Sequence, residues 1–415
     1  MRLGEIGNRD AAKWGKPLDG VRILAVEQMQ ALPFATQLLA RLGADVVKIE
    51  HPTQGESGRG ATPAMTDPSG RRIGATFLRN NLNKRSVGID LKDPRGRDLV
   101  LRLAARFDVL GENFKAGTMR RLGLGYDDVA RVHPRIIYLS ISGFGNLVPS
   151  AYDAWPAYAP IVEAMSGLYE YRRTDDTTPP VPSPAGALGD IGTALFGVIG
   201  LLAALRHRDQ TGQGQYVDIA MLDAMVSLAD VVTNFWSMGV RPGKMPELIM
   251  DSFRAADGWF ILQVGREHQF ERLARLVGHA DWLTDPRLAT RAGWKAELET
   301  MIRPAVEAWA STRTKRAACD ALAAVGVAAG PCFSAPDVIA DPLVNARHML
   351  VEMPRSDDVA EPILIPGNPV KLSKMAEGPE RRVPWLGEHT DEVLRTELDL
   401  RDDELQQLRE DGVIA

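Results

Sequence analysis

The sequence predicts an α/β protein, with one domain on a mostly parallel sheet and a second, smaller α+β domain. Three observations lead there. Strand-like and helix-like stretches alternate from Val21 to Ile141. A Gly-, Pro- and Lys-containing break at 239–246 separates that region from a second set of elements. And 415 residues exceed one ordinary core and suit two domains of about 150–250 residues.

Each element has its own signal. Val21–Glu27 is apolar and β-branched, a strand. From Pro33 to Leu42 the residues Ala35, Leu38, Leu39 and Leu42 share one helical face, with Pro33 at the start and Gly43 at the end. Asp45–Glu50 is the next strand and completes a βαβ unit. The pattern repeats through Ser86–Leu91, Asp93–Phe107 and Asp108–Leu110, then a helix at Tyr126–Arg131 and a strand at Arg135–Ile141. Such alternation implies helices on both faces of a parallel sheet, a Rossmann-like layering. A proline-rich loop over 174–186 leads into an apolar helix at Ile191–Leu205, a strand at Tyr216–Met221 and a helix from Asp223 to Trp236. The smaller domain begins with a strand at Ala256–Val264, followed by helices near 266–278, 293–311 and 314–325. An amphipathic stretch closes the chain from Asp391 to Gln407. The large domain is expected over residues 1–225 and again over 350–415, and the small one over 245–349.

Composition narrows the function. Hydrophobic residues at 45% and charged residues at 25% fit a globular chain, and a net charge of −5 gives no reason to expect nucleic acid. No run of 18 apolar residues is present, so no membrane span is expected. Met1–Lys16 lacks an apolar signal core, and the two cysteines, Cys319 and Cys332, have neither metal nor redox spacing. A reducing, cytoplasmic setting is the expectation. The glycine fingerprint of dinucleotide folds should follow the first strand, where Gln28–Pro33 stands instead. The Walker A, metalloprotease and nucleophile-elbow motifs are missing too, and the seven histidines have no metal spacing. No metal or permanently bound cofactor is expected. The chemistry falls to common side chains, and a carboxylate leads.

Asp190 is the candidate. It stands at the head of an otherwise apolar helix, among small residues including Gly186, Ala187, Gly189, Gly192 and Thr193. One reading is an N-cap, its oxygen accepting from a first-turn N–H. The other is a reactive group: small neighbours leave space beside it, and the positive helix end favours its ionised form and an oxyanion formed nearby.

The run Pro184–Leu205 resembles the nucleophile segment of the family III CoA-transferases, which include formyl-CoA and carnitine CoA-transferases. Further likenesses lie at Leu18–Leu24, Leu42–Glu50, Asn83–Ser86 with Asp90–Lys92, Glu112–Phe114 and Leu386–Leu394. They extend over roughly residues 17–412. The resemblance implies that Asp190 is the nucleophile and passes an acyl group through a mixed anhydride and an aspartyl-CoA thioester. An acyl-CoA donor and a carboxylic acid acceptor are the implied partners, and the implied assembly is an interlinked homodimer. For coenzyme A it implies contacts from Gln30 and Ala31, from His51 (an arginine in formyl-CoA transferase), from Ile89 and Lys92 at the adenine end, from Asn113, Phe114 and Lys115 at the pantetheine, from Arg121 at the pyrophosphate, and from Tyr158. Many transferases of the family carry an aspartate where Ala159 stands, and the racemase branch carries His-Asp over 158–159. Glu163 reads as a helix surface residue. The alternatives are an α-methylacyl-CoA racemase using Asp190 as one base, a non-catalytic CoA-binding protein, and a Rossmann oxidoreductase, which the missing glycine loop disfavours.

Overall fold

A computed structural model describes residues 1–172, 177–183, 186–241 and 247–415, without the side chains of Tyr171 and Arg172. Parts of the expected proline-rich loop and linker, at 174–176, 184–185 and 242–246, lie outside the described residues. The chain divides into one compact unit of Met1–Gly243 with Leu343–Ala415 and another of Lys244–Pro342.

The large unit is built on a six-stranded sheet. Its strands are β1 (Arg22–Val26), β2 (Asp45–Glu50), β3 (Arg85–Gly88), β4 (Val109–Glu112), β5 (Ile137–Ser142) and β6 (Gln215–Ala220). The spatial order is β3-β2-β1-β4-β5-β6, and every pairing is parallel. Side chains alternate between two cores, as strand geometry requires. Ile23, Ala25 and Val46 face α1 (Ala31–Arg41) and α4 (Leu188–Thr211), whereas Leu24, Val26 and Val47 face α2 (Pro94–Ala104). Between α2 and α4 in sequence lies the short α3 (Ala159–Met165). Two C-terminal helices at Thr390–Leu398 and Asp402–Glu410 close the second core with Val393, Leu394 and Leu405. Burying each such side chain stabilises the fold by about 1.5–3 kcal/mol relative to exposure.

The sequence places the end of this unit near 225, but helix α5 (Met221–Leu228) packs on α4 and carries the unit further. Helix α4 is longer than expected and, by length and composition, apolar enough to cross a membrane. Its buried side packs on α1, α3 and α5, as a core helix does. The other side exposes Leu195, Ile199 and Leu202.

The small unit holds a three-stranded antiparallel sheet of β7 (Ile249–Ala255), β8 (Gly258–Val264) and β9 (Ala328–Pro331), with β8 central. Its core contains Phe253, Phe260, Phe270, Trp282 and Trp294. The sequence reading found one strand at its start; the structure has a hairpin, with Ala256 and Asp257 at the turn.

Candidate active site

In a parallel sheet of this order, successive connections leave β1 on one side and β4 on the other, so a crevice opens between their carboxyl ends. Here the crevice is bridged by side chain. The Gln28 N–H donates to Asn113 Oδ1 at 2.8 Å, and Asn113 Nδ2 donates to the Gln28 carbonyl at 2.9 Å. A cleft of about 370 Å³ lies against this bridge.

Gln30, Ala31, Asn113, Phe114, Lys115, Tyr158 and Asp190, all singled out in the sequence, line this one cleft. Their states differ. Asn113 uses its amide to hold the Gln28 backbone. Lys115 Nζ donates to the Ala154 carbonyl at 2.6 Å. Tyr158 stands at the N-terminus of α3, 68% exposed. Four other residues lie outside the cleft lining. The His51 ring accepts from the Thr53 and Gln54 N–H groups in the turn after β2. The Ile89 side chain sits in the core at 1% exposure, so a ligand contact there falls to main chain. Lys92 and Arg121 are exposed, and Arg121 bonds Thr118 Oγ1 at 2.9 Å.

The Asp190 end is built by α3 and α4 together. Helix α4 begins at Leu188, and its cap position, Ala187, supplies no side-chain acceptor. Asp190 is therefore inside the first turn and is not the N-cap. The acceptor comes from α3: the Gly189 N–H donates to Glu163 Oε1 at 2.8 Å, and Tyr169 donates to Glu163 Oε2 at 2.7 Å. Glu163 is 3% exposed. It is thus a buried support of the turn that carries Asp190, not a surface residue. An acid as the sole charge between Asp153 and Glu170 was the available signal. Gly189 allows the two helices to meet, since a Cβ there would lie 2.9 Å from the Ala159 Cα.

Electrostatics at Asp190 run against the helix-dipole expectation. Burial, and then the charge of Glu163, push its carboxyl up to about 6. At pH 7 it is still about nine-tenths ionised. A second raised carboxyl lies nearby in sequence to the cleft. Glu112 is pushed up to about 7 by burial and the charge of Asp218, against hydrogen bonds from Ser140 and the Phe114 N–H. Gln28, Met29, Ser57, Asp153 and Trp155 also line the cleft, and the sequence reading did not single them out. Their strand-end loops carry no motif. Among the described residues no group of three or more His, Cys, Asp or Glu side chains is arranged to hold a metal ion.

Fold and site thus define an α/β protein with a raised, cleft-facing carboxylate beside the point where strand order reverses. Residues 18–390 match the family described as CoA-transferase family III. The succinyl-CoA:mesaconate CoA-transferase of Haloarcula hispanica is 35% identical, over 91% of this chain and 95% of that one. The formyl-CoA:oxalate CoA-transferase of Streptomyces coelicolor is 33% identical, over 96% of this chain and 99% of that one. A CAIB/BAIF family protein from Brucella suis has the same fold, with a TM-score of 0.80 and 32% identity over 92% of this chain and 99% of that one. The chain belongs to CoA-transferase family III and is an enzyme of that family.

Proposed function

We propose that the enzyme moves coenzyme A from an acyl-CoA to a free carboxylate, with Asp190 as covalent carrier. The observation that carries this is the position of Asp190: a raised carboxylate at the head of α4, facing the switch-point cleft, its turn fixed by Glu163. One Asp190 oxygen attacks the thioester carbonyl, the C–S bond breaks, and an Asp190–acyl anhydride forms with CoA thiolate released. The thiolate attacks the aspartyl carbonyl of the anhydride, expelling the donor carboxylate and leaving an Asp190–CoA thioester. The acceptor carboxylate then attacks this thioester, giving a second anhydride and thiolate. Attack of the thiolate on the acceptor's carbonyl yields the new acyl-CoA and restores the Asp190 carboxylate. No electrons are gained or lost, and the covalent route divides one exchange into steps of similar energy. The positive end of α4 stabilises each oxyanion.

The cleft takes the thiol end of the substrate. Gln30, Ala31, Phe114, Lys115 and Tyr158 line its path, and Asn113 holds that lining in place. His51, Ile89, Lys92 and Arg121 take the nucleotide end further along the carboxyl edge of the sheet. The relatives' names make short-chain dicarboxylates the first acceptors to try. A second copy of the chain is the natural cover for the apolar face formed by Leu195 and Ile199 of α4 with Val226 and Leu228 of α5, all exposed in the single chain. A cytoplasmic setting accords with free cysteines at 319 and 332. In a panel of acyl-CoA donors and carboxylates, mass detection of new CoA esters tests the activity. No exchange with any pair defeats it, and α-proton exchange in deuterated water without CoA transfer makes the enzyme a racemase.

A further inference from the structure

Met29, in the loop between β1 and α1, has a φ of +60°. That is left-handed backbone, disfavoured for a side chain with a Cβ and kept only when its surroundings hold it. Here they do. Five successive main-chain groups of this loop are each taken by a side chain. The Glu27 carbonyl accepts from Lys48 Nζ at 3.3 Å. The Gln28 N–H and carbonyl are both bonded to Asn113. The Met29 N–H donates to Glu56 Oε2 at 2.9 Å, and its carbonyl accepts from Asn80 Nδ2 at 3.4 Å. Gln30 and Ala31, which follow the turn, line the cleft with Asp190.

Glu56 is the acidic member of this clamp. It is 5% exposed, and the same Oε2 accepts from the Gly58 N–H at 2.7 Å. Its Oε1 has no hydrogen-bond partner and lies 3.8 Å from the buried Lys48 ammonium. Behind it stand five buried ions, Lys84 and Lys48 facing Glu27 and Arg59 facing Glu50, and with Glu56 the charges balance. Glu56 is thereby held from behind through Oε1 while its Oε2 holds Met29.

We propose that Glu56 is a positioning residue for the transfer: it locks Met29 in the left-handed turn that sets Gln30 and Ala31 against the cleft. This rests on the transferase reading. Fixing such geometry bears on the reacting arrangement more than on substrate affinity, so its loss shows in kcat rather than KM.

The test is a double-mutant cycle with a separate readout on the resting protein. Glu56→Ala lowers kcat about tenfold with KM changed less than about threefold, the scale of one released left-handed residue. Glycine adopts this backbone freely. In a Met29→Gly background the same Glu56→Ala change therefore costs less than about threefold in kcat. Glu56→Gln keeps an acceptor without the charge and loses only about threefold, which covers the case of an alanine variant that folds poorly. Amide hydrogen exchange at Gln28 and Met29 quickens about tenfold in Glu56→Ala without any turnover being needed. An equal kcat loss in both backgrounds, or unchanged exchange at Met29, overturns the proposal. If the parent enzyme transfers CoA between no tested pair, the transferase reading fails, and the exchange data still judge the turn.

Discussion

The two walls of the cleft bury carboxylates by opposite means. On the β1 side, Glu27 is fully buried, and although burial alone raises a carboxyl, Lys84 and Lys48 outweigh it and hold Glu27 below its ordinary range. On the α4 side, Asp190 is buried beside another acid, Glu163, and rises to about 6. The first arrangement fixes backbone, and in the proposed transfer the second keeps a group basic enough to attack.

That contrast has a largest consequence in catalysis. Asp190→Asn should lower kcat about 10⁴-fold or more, because the amide supplies no nucleophilic carboxylate, while CoA binding by calorimetry changes little. Next comes the scaffold side. Lys84→Met leaves Glu27 buried with only part of its charge compensated, and urea unfolding should show a loss of about 3–5 kcal/mol. The reactive side should respond in the other direction. Because the folded-state pKa of Asp190 is raised, the native protein binds more protons than the unfolded chain between about pH 4 and pH 6, and stability falls as pH rises through that window. Asp190→Asn removes this penalty, so it should be more stable than the parent by about 2–3 kcal/mol at pH 7 and no more stable below pH 4. A destabilised Asp190→Asn would erase the distinction between the walls. The smallest effect concerns Glu163. The acid limb of the kcat/KM profile should lie at about 6, and Glu163→Gln should move it to lower pH by less than about one unit, since burial is the larger cause.

Much of the fold was legible, because a parallel sheet buried on both sides writes its strands as apolar runs. β1, β2, β5 and α4 all stand near their expected positions. The small unit's hairpin was half missed, since Met250, Ser252 and Arg254 give β7 a mixed outer face. Asp190 was visible through the small residues around it and through family likeness. Glu163 was not, because helical spacing in a seven-residue helix leaves its direction open, and only packing against the start of α4 reveals it. Glu56, and the bridge that Asn113 makes to the Gln28 backbone, escaped for a related reason. Their partners are main-chain groups 27 and 85 residues away, which no local pattern records.

The central claim, that a side-chain acid in this cleft becomes joined to sulfur, is tested most directly by peptide mass mapping after brief incubation with an acyl-CoA donor and capture with hydroxylamine or borohydride. A single modification on Asp190, absent from Asp190→Asn, is the expected result. CoA transfer at full rate with Asp190 unmodified, or with the asparagine variant equally active, contradicts it.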